Sequence, residues 1–449
     1  MDKNNGAIYD ARKLGKPKMI ILGVQHMFAM FGATILVPIL TGLDISTTLL
    51  MAGLGTLLFH CITKFKVPAF LGSSFAFLGG YAAIKAFSPN DPNSMLPYAC
   101  LGVACAGLIY FILAAVIKAV GIEKVMRFFP PVVTGPIIIA IGLGLAPSAV
   151  SNCTTNWFLA VVALAVIVVF NIWGKGMAKI IPIILGLLIS YGTGLVLYFI
   201  SQANPDLIQN VPWLFSGGAD ANGVYQPIFD FTSLNTICDN ISKGHIFGSE
   251  GLIGIPIHWD KTVFGGIDYS NGALIASSII AIVPIAFATM MEHIGDICAI
   301  SSTTGNNYIK DPGLHRTLVG DGLATTLASL FGGPANTTYG ENTGVLALTR
   351  VYDPRVIRIA AYFAVAVSFF PIVSVIIGSI PSCIIGGISF VLYGMISAIG
   401  VRNVVENKVD FTKSRNLIVA AVILVSLSAA TEYKGLLSRG ANGIYAIAL

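Results

Sequence analysis

Three carboxylates stand in stretches that are otherwise apolar, and they are the residues of this sequence best placed to do chemistry. Glu292 and Asp296 are four residues apart, so they share one face of a helix. Glu341 lies in the stretch 332–344, which holds four Gly, one Pro and two Asn between apolar segments. Such carboxylates can accept hydrogen bonds from a ligand or carry a proton, and within a membrane they indicate a functional site.

The composition predicts a polytopic membrane protein. Of 449 residues, 55% are hydrophobic and only 10% are charged, whereas soluble domains carry about 25% charged residues. An ordinary soluble enzyme is therefore excluded, and nothing in the sequence indicates a nucleic-acid partner.

The seven cysteines predict neither a metal site nor a cofactor site. They form no C-x-x-C pair and no cluster with His at metal-ligand spacing, so we interpret them as small core residues. The positions of Cys153 and Cys238, both in predicted external loops, leave a disulfide between them open.

A transmembrane helix needs about 20 apolar residues, and on this measure thirteen spans are predicted. They lie near 19–41, 46–63, 67–84, 96–120, 128–147, 156–174, 179–200, 273–295, 314–332, 334–350, 356–380, 382–401 and 415–431. The last apolar run, 443–449, is too short to cross a membrane, and we expect it to be the start of a truncated fourteenth span.

The basic residues predict that the N-terminus is cytoplasmic, and we expect the protein to lie in the plasma membrane. With that orientation, all but five of the 26 Lys and Arg fall on the cytoplasmic side, as the positive-inside rule requires. The long hydrophilic piece 201–272 is then an external loop with some order of its own. Either a cap over the outer mouth or a passive insertion fits it, and the passive insertion is favoured.

The two halves of the chain repeat each other. Gln25-His26 in the first span matches Glu292-His293 in the eighth, and a short, Gly-interrupted segment follows each at a similar distance, at 71–80 and 332–344. Because each half has an odd number of spans, the second copy is inverted. Paired broken helices at matching positions indicate the binding site of a transporter.

The predicted site combines two kinds of ligand-binding group. The first N–H groups of the two half-helices, near Phe75 and Gly340, are unpaired donors suited to ligand carbonyls. The carboxylates of Glu292 and Glu341 suit ligand N–H groups, and Phe75, Tyr339 and Tyr393 could form apolar walls. A nucleobase or a similar planar cyclic amide would satisfy both sets. By contrast, His293 and Asp321 are interpreted as structural residues.

We expect the two glutamates to differ in protonation. The half-helix N-terminus favours the anion of Glu341, whereas burial in an apolar wall favours the neutral acid of Glu292. Asp296, one turn away, would strengthen that preference or share the proton. The resulting hypothesis is symport with H⁺, with Glu292 as the coupling residue.

These residues resemble the nucleobase–ascorbate transporter family, also called nucleobase:cation symporter-2. The match rests on the signature Glu341-Asn-Thr-Gly-Val-Leu-Ala-Leu-Thr-Arg350 and on the first-span motif Gln25-His26. Four longer stretches look like the bacterial uracil permease branch: 25–34, which contains Ala33, 71–77, 311–316 and 336–342. The resemblance covers nearly the whole chain except 201–272.

The resemblance implies an all-α, 7+7 inverted-repeat transporter with two broken segments, and uracil as its substrate. It implies that Glu292 and Glu341, the backbone at Phe75 and Gly340, and Ala33, Tyr339 and Tyr393 form the substrate site. The implied organisation is a cytoplasmic N-terminus 1–18, a core domain 19–120 and 273–380, a gate domain 121–200 and 381–449, and the loop 201–272. Family members are often dimeric through the gate.

One residue departs from the family pattern. Similar permeases commonly have His where this chain has Asp296, which puts H⁺ coupling in doubt and leaves Na⁺ as a less favoured alternative. Xanthine or urate also stays open as substrate, although Glu at position 341 favours uracil. Two glutamates argue against an anion transporter, no converging catalytic set indicates an enzyme, and a closed polar site fits binding better than passive conduction.

Overall fold

The computed structural model describes residues 7–125, 130–179, 181–220 and 222–432, without side-chain detail at 33, 123, 125, 341 and 426–432. These residues are mostly helical. The helices are α1 Lys16–Thr41, α2 Ile45–Ile62, α3 Leu78–Lys85, α4 Leu96–Val120, α5 Ile122–Val125, α6 Pro131–Cys153, α7 Trp157–Trp173, α8 Pro182–Ala203, α9 Asp206–Asn210, α10 Pro212–Phe215, α11 Thr232–Ser242, α12 Val263–Gly266, α13 Gly272–Ile282, α14 Ile285–Thr304, α15 Leu314–Leu330, α16 Gly340–Thr349, α17 Pro354–Ser368, α18 Pro371–Gly378, α19 Ser382–Glu406 and α20 Ser414–Glu432.

Within the described residues, strands are few and short. They are β1 Leu71–Ser73, β2 Ser216–Ala219, β3 Tyr225–Pro227 and β4 Asn336–Thr338. β1 pairs with β4 and β2 with β3, both antiparallel. Single turns of 3₁₀ helix include Ala11–Leu14 and Phe75–Phe77. Seven helical stretches of the described chain are long and apolar enough to cross a membrane.

The chain divides into two compact units. The first comprises Met1–Ala140, Ile255–Phe369 and Gly400–Leu449, and the second comprises Ile141–Gly254 and Phe370–Ile399. Both broken segments and α14 belong to the first unit.

The first unit has the predicted inverted-repeat architecture. α2 packs on α17, and in the other half the equivalent helix α15 packs on α4, the equivalent of α17. In the same way α1 packs on α17, and its equivalent α13 packs on α4. The equivalent helices α2 and α15 pack on each other, and the equivalent strands β1 and β4 also meet. These matched contacts place the pseudo-twofold relation at the α2–α15 and β1–β4 contacts, and the 7+7 fold class is confirmed.

Glycines permit the closest of these helix contacts. A Cβ on Gly107 of α4 would lie 2.7 Å from the carbonyl oxygen of Gly322 in α15. A Cβ on Gly322 would lie 2.6 Å from the carbonyl oxygen of Gly107. On the other side, a Cβ on Gly53 of α2 would lie 2.7 Å from the carbonyl oxygen of Ala361 in α17. Small residues let membrane helices approach until their backbones touch, so the repeated packing requires glycine at these positions.

The predicted broken segments are confirmed, and two other spans differ from prediction. The span expected at 273–295 continues to Thr304 and divides into α13 and α14 at Pro284. The expected continuous span 356–380 is wrong, because α17 ends at Ser368 and α18 begins at Pro371. Proline has no N–H for the helix ladder and restricts the residue before it, which explains both breaks.

The predicted loop 201–272 is ordered, as expected. It contains α9 to α12 and the β2–β3 hairpin. Its residue Phe229 stacks on Phe231 at 5.2 Å and meets Tyr191 of α8 edge-on at 4.8 Å, within the second unit. The apolar run 443–449 lies outside the described residues.

Candidate functional site

The two broken segments meet as a two-stranded antiparallel ladder. Gly72 of β1 lies opposite Thr337 of β4. Two further backbone hydrogen bonds extend the ladder at its ends, Ser74 N–H to Ala335 O and Tyr339 N–H to Phe70 O, both 3.0 Å. The Gly- and Asn-rich composition of both segments therefore forms extended backbone, each piece followed by a short helix.

A ladder of two strands leaves half of its backbone groups facing outward. Bonded and non-bonded pairs alternate in an antiparallel ladder, so the N–H and C=O groups of β1 and β4 at the non-bonded pairs point away from the partner strand. At membrane depth these groups need partners from the protein.

Side chains from the equivalent helices α2 and α15 supply these partners. Thr56 Oγ1 accepts the N–H of Leu71 at 2.9 Å and donates to the carbonyl of the same residue at 3.2 Å. In the other half, Thr325 Oγ1 donates to the carbonyl of Asn336 at 2.9 Å. Thr56 and Thr325 are both fully buried. These hydroxyls let extended backbone exist where lipid-facing backbone could not.

The two threonines are equivalent in the repeat. Each lies eleven residues after the first residue of its helix, and Leu71 and Asn336 are the first residues of their strands. Asp321 occupies the place that Ala52 has in α2, and its Oδ1 accepts the N–H of Thr338 at 2.8 Å. The second half thus has a buried carboxylate where the first half has a methyl group.

His293 belongs to the same buried network. One ring nitrogen, Nδ1, lies 3.1 Å from Thr338 Oγ1 and 3.4 Å from Asp321 Oδ1, and Nε2 lies 2.9 Å from Thr317 Oγ1. One turn before His293, Thr289 accepts a hydrogen bond of 2.7 Å from the Tyr110 hydroxyl. The structural interpretation of His293 and Asp321 agrees with these contacts, since both hold β4 in place.

The half-helices begin directly after the strands. Phe75 opens a 3₁₀ turn that leads into α3, and its side chain is half-buried. Gly340 opens α16 and is exposed, and Tyr339 before it makes no side-chain capping bond. The first N–H groups of α16 have no partner within their own helix, and their role as ligand donors stays a prediction.

Glu292 and Asp296 take different positions on α14. Glu292 is exposed. Asp296 is half-buried and accepts a hydrogen bond of 3.3 Å from Thr338 Oγ1. A Cβ on Gly340 would lie 3.1 Å from Asp296 Oδ1, so Asp296 borders the N-terminus of α16, where a negative charge is stabilised.

The remaining predicted site residues are spread over the fold. Tyr339 is buried with its hydroxyl donating to the carbonyl of Ser73 at 3.0 Å, and a Cβ on Gly72 would lie 2.5 Å from its ring. It therefore packs against β1. Tyr393 is buried on α19 in the second unit. Ala33 lies in α1 and Glu341 follows Gly340 in α16, and their side chains are outside the described set.

The first-span motif and the cysteines complete the predicted residues. His26 is fully buried in α1. All seven cysteines are free, with Cys153 buried and Cys238 exposed, so the disulfide left open between these two is not formed. Among the described residues, no three His, Cys, Asp or Glu side chains are grouped in a way that could hold a metal ion.

Sequence reasoning missed Thr56 and Thr325. A signal for them exists, because the pattern Gly-Leu-x-Thr occurs at 53–56 and again at 322–325. Both copies lie in the helix before a broken segment. Aligning the two copies would have matched Asp321 with Ala52.

Comparison with known families identifies the class of protein. The sequence model of a family described as "Permease family" matches residues 17–433. That match covers most of the chain, including both broken segments and α14.

Curated relatives are similar over nearly their whole length. The uracil permease of Bacillus caldolyticus is 39% identical over 417 residues, which is 90% of this chain and 84% of the relative. The uracil permease of Bacillus subtilis (strain 168) is 38% identical, with the same two coverages. A putative pyrimidine permease of Escherichia coli (strain K12) is 35% identical over 94% of this chain and 85% of its own.

Solved structures share the fold at low sequence identity. The transmembrane domain of the cyanobacterium bicarbonate transporter BicA superposes with a TM-score of 0.65 at 13% identity, covering 96% of this chain and 99% of that one. The structure of SLC26A9 gives a TM-score of 0.51 at 11% identity, over 96% of this chain and 66% of that one. These likenesses confirm the fold of a multi-pass membrane transporter.

Proposed function

This chain belongs to the nucleobase–ascorbate transporter family of permeases, and from that premise we propose that it imports uracil by proton symport. The observation that carries the proposal is the β1–β4 ladder, which holds the start of a half-helix from each repeat within one short sheet. Similar proteins named uracil permeases support the choice of substrate.

The proposed binding mode pairs each edge group of uracil with a group of opposite kind. The backbone N–H groups at Phe75 and Gly340 donate to the uracil carbonyls, and the carboxylates of Glu292 and Glu341 accept from its N–H groups. Phe75, half-buried at the start of its turn, contacts the ring face. Ala33 and Tyr393 stay in the proposed set. Tyr339 contributes by holding β1, since its hydroxyl is bonded to Ser73.

In the proposed coupling mechanism, Glu292 carries the proton and Asp296 tunes it. Asp296 borders the first turn of α16 and lies one helical turn from Glu292. An ionised Asp296 disfavours a second negative charge at Glu292, so a proton taken up by Glu292 accompanies the substrate. Release of both on the other side follows from alternating access of a core domain, spans 1–4 and 8–11, against a gate domain, spans 5–7 and 12–14.

The proposed orientation places the N-terminus in the cytoplasm of the cell and the protein in the plasma membrane. After the end of α2, Lys66 pairs with Asp311 at 2.6 Å and the Arg358 guanidinium lies 4.9 Å from the Phe65 ring centroid. The orientation itself is supported by the distribution of Lys and Arg along the sequence, which follows the positive-inside rule. A homodimer through the gate domain belongs to the same proposal.

A panel of bases tests the substrate. Purified protein should gain thermal stability with uracil, and less with 1-methyluracil or 3-methyluracil, each of which lacks one N–H donor. Stabilisation by xanthine or urate in preference to uracil would overturn the substrate assignment.

A single substitution tests the coupling. Glu292→Gln keeps the size and one acceptor but cannot carry a proton, so it should bind uracil while losing pH-driven accumulation. Uphill uptake that stays at the wild-type level would refute proton carriage by Glu292. Uptake at fixed pH with and without Na⁺ separates H⁺ from Na⁺ coupling, since two carboxylates one turn apart could also hold Na⁺.

A further inference from the structure

We propose that an N-terminal strap, residues 8–12, positions α16 relative to α14 and so sets the spacing between the ligand groups at Gly340 and Glu292. The strap precedes α1 and belongs to neither repeat. The inference deepens the proposed function and depends on it for the identity of the ligand.

The strap is hydrogen-bonded to the segment that follows α16. The N–H of Ile8 donates to the carbonyl of Arg350 at 2.8 Å, and the N–H of Tyr352 donates to the carbonyl of Ile8 at 2.8 Å. These two bonds form a parallel bridge between Ile8 and Val351. Because α16 ends at Thr349, the bridge fixes the end of this half-helix.

The next residue of the strap reaches the end of α14. The hydroxyl of Tyr9 donates to the carbonyl of Thr304 at 2.6 Å, and the Tyr9 ring meets Tyr352 edge-on at 5.5 Å. Thr304 is the last residue of α14, and Gly305 caps it in the left-handed conformation. Terminal carbonyls of a helix have no partner within the helix, so the Tyr9 hydroxyl satisfies one of those of α14. The preceding residue, Ile8, is bonded to the segment that follows α16.

Charged groups anchor the strap to the start of α17. The N–H of Ala11 donates to Asp353 Oδ2 at 2.7 Å, and Arg355 pairs with Asp10 at 3.0 Å. The Asp353 side chain is nearly buried, whereas those of Asp10 and Arg355 are 33% and 40% exposed. Exposed ion pairs contribute little, so the Asp353 bond and the contacts of Ile8 and Tyr9 hold the strap.

The first repeat contains an equivalent tie made in a simpler way. α1 also ends in a threonine, Thr41, followed by the left-handed Gly42. The ammonium of Lys85, the last residue of α3, donates directly to the carbonyl of Thr41 at 2.9 Å. In each half, the C-terminal end of the half-helix is thus tied to the terminal carbonyl of an earlier long helix, which is α1 in the first half and α14 in the second. The second half makes this tie through the strap.

The tie matters because a ligand must contact α14 and α16 together. If the two helices move independently, binding has to order them, and the apparent affinity falls by the fraction of molecules with the correct spacing. Tyr9→Phe removes one hydrogen bond and keeps the ring, so we expect the Kd for uracil to rise about threefold to tenfold. The maximal transport rate should change little.

The experiment measures affinity and helix mobility on the same variants. Uracil binding is measured by titration, and hydrogen–deuterium exchange without uracil is measured at the last turns of α14 and α16. Ile8→Pro, which removes the N–H bonded to Arg350, is the second variant, and it keeps the test available if Tyr9→Phe does not fold. Both variants should exchange faster at these turns and bind uracil more weakly.

Tyr269→Phe is the matched control. Its hydroxyl also donates to a backbone carbonyl, that of Val263 at 2.8 Å, but it lies away from α14 and α16 in the sequence region 201–272. This variant should bind uracil as the wild type does. Wild-type affinity in both strap variants, with or without faster exchange, would overturn the positioning role. If the wild type itself does not bind uracil, the proposed function is refuted. In that case the positioning role of the strap is refuted separately, by hydrogen–deuterium exchange at α14 and α16 that is the same in the variants as in the wild type.

Discussion

The threonine hydroxyls that pair with the outward-facing backbone groups of the β1–β4 ladder should contribute more to stability in the first half of the chain than in the second. Thr56→Val removes a hydroxyl that serves both the N–H and the carbonyl of Leu71, whereas Thr325→Val removes a hydroxyl that serves only the carbonyl of Asn336. Valine has nearly the shape of threonine, so packing is retained and the lost hydrogen bonds dominate the result.

The magnitude follows from the number of groups left unpaired. A buried donor or acceptor without a partner costs about 1–3 kcal/mol, so Thr56→Val should cost about 2–6 kcal/mol and Thr325→Val about half as much. A loss of 1 kcal/mol lowers the melting temperature of a 150–250-residue domain by about 2–4 °C, and by less in a longer chain. We therefore expect a fall of several degrees for Thr56→Val and a smaller one for Thr325→Val.

The assay is thermal unfolding in detergent, with Thr326→Val as the matched control. Thr326 neighbours Thr325 and donates to the carbonyl of Ala104 at 3.1 Å. The Ala104 carbonyl lies inside α4, where it already accepts a helix hydrogen bond. Removing the Thr326 hydroxyl therefore leaves no backbone group unpaired. A melting temperature for Thr56→Val equal to that of Thr326→Val would refute the argument that these hydroxyls stabilise the ladder.

Two further predictions concern packing and pH. Gly322→Val should abolish a monodisperse peak in size-exclusion chromatography, because its Cβ would lie 2.6 Å from the carbonyl of Gly107, whereas Gly79→Ala, with no atom within 4 Å of the added Cβ, should elute as the wild type does. The hydrogen bond from Arg12 lowers the pKa of Asp10 from 3.8 to about 2. The contribution of ionised Asp10 is therefore fully present above about pH 5 and is lost as the pH falls from there through 2. The difference in melting temperature between wild type and Asp10→Asn should stay constant from about pH 7 to about pH 5 and shrink below that, and a change within the upper range would contradict the assignment.

The sequence was sufficient for the broken segments because their signal is local. Four Gly, a Pro and two Asn within 332–344 exclude a continuous helix whatever surrounds them. The matched spacing from Gln25 and Glu292 then indicates two equivalent copies. Both conclusions need only neighbouring residues and a count along the chain.

The partners of the ladder could not be predicted in the same way. Thr56 and Leu71 are 15 residues apart and Thr325 and Asn336 are 11 apart, with a helix end and a turn between them in each case. Which hydroxyl meets which backbone group depends on the strand register and on how α2 and α15 pack together. The sequence likewise predicts only a polar terminus for residues 1–18, because the bonds of Tyr9 and Ala11 go to residues 295 and 342 positions away.

The repeat also explains where the chemistry is concentrated. The backbone frames of the two halves are alike, yet among the described residues the carboxylates that contact β4, Asp296 and Asp321, belong to the second half. In the sequence, Glu292, Asp296, Asp321 and Glu341 correspond to Gln25, Ala29, Ala52 and Ala76. A symmetric set of acids would place like charges on both sides of one short sheet, where their repulsion would be weakly screened. In the proposed site, confining the acids to one half keeps the paired half-helix N-termini as donors and adds acceptors from one side only. That asymmetry suits a small ligand whose donors and acceptors alternate along one edge. A ligand with two identical edges would gain nothing from acceptors placed on one side only.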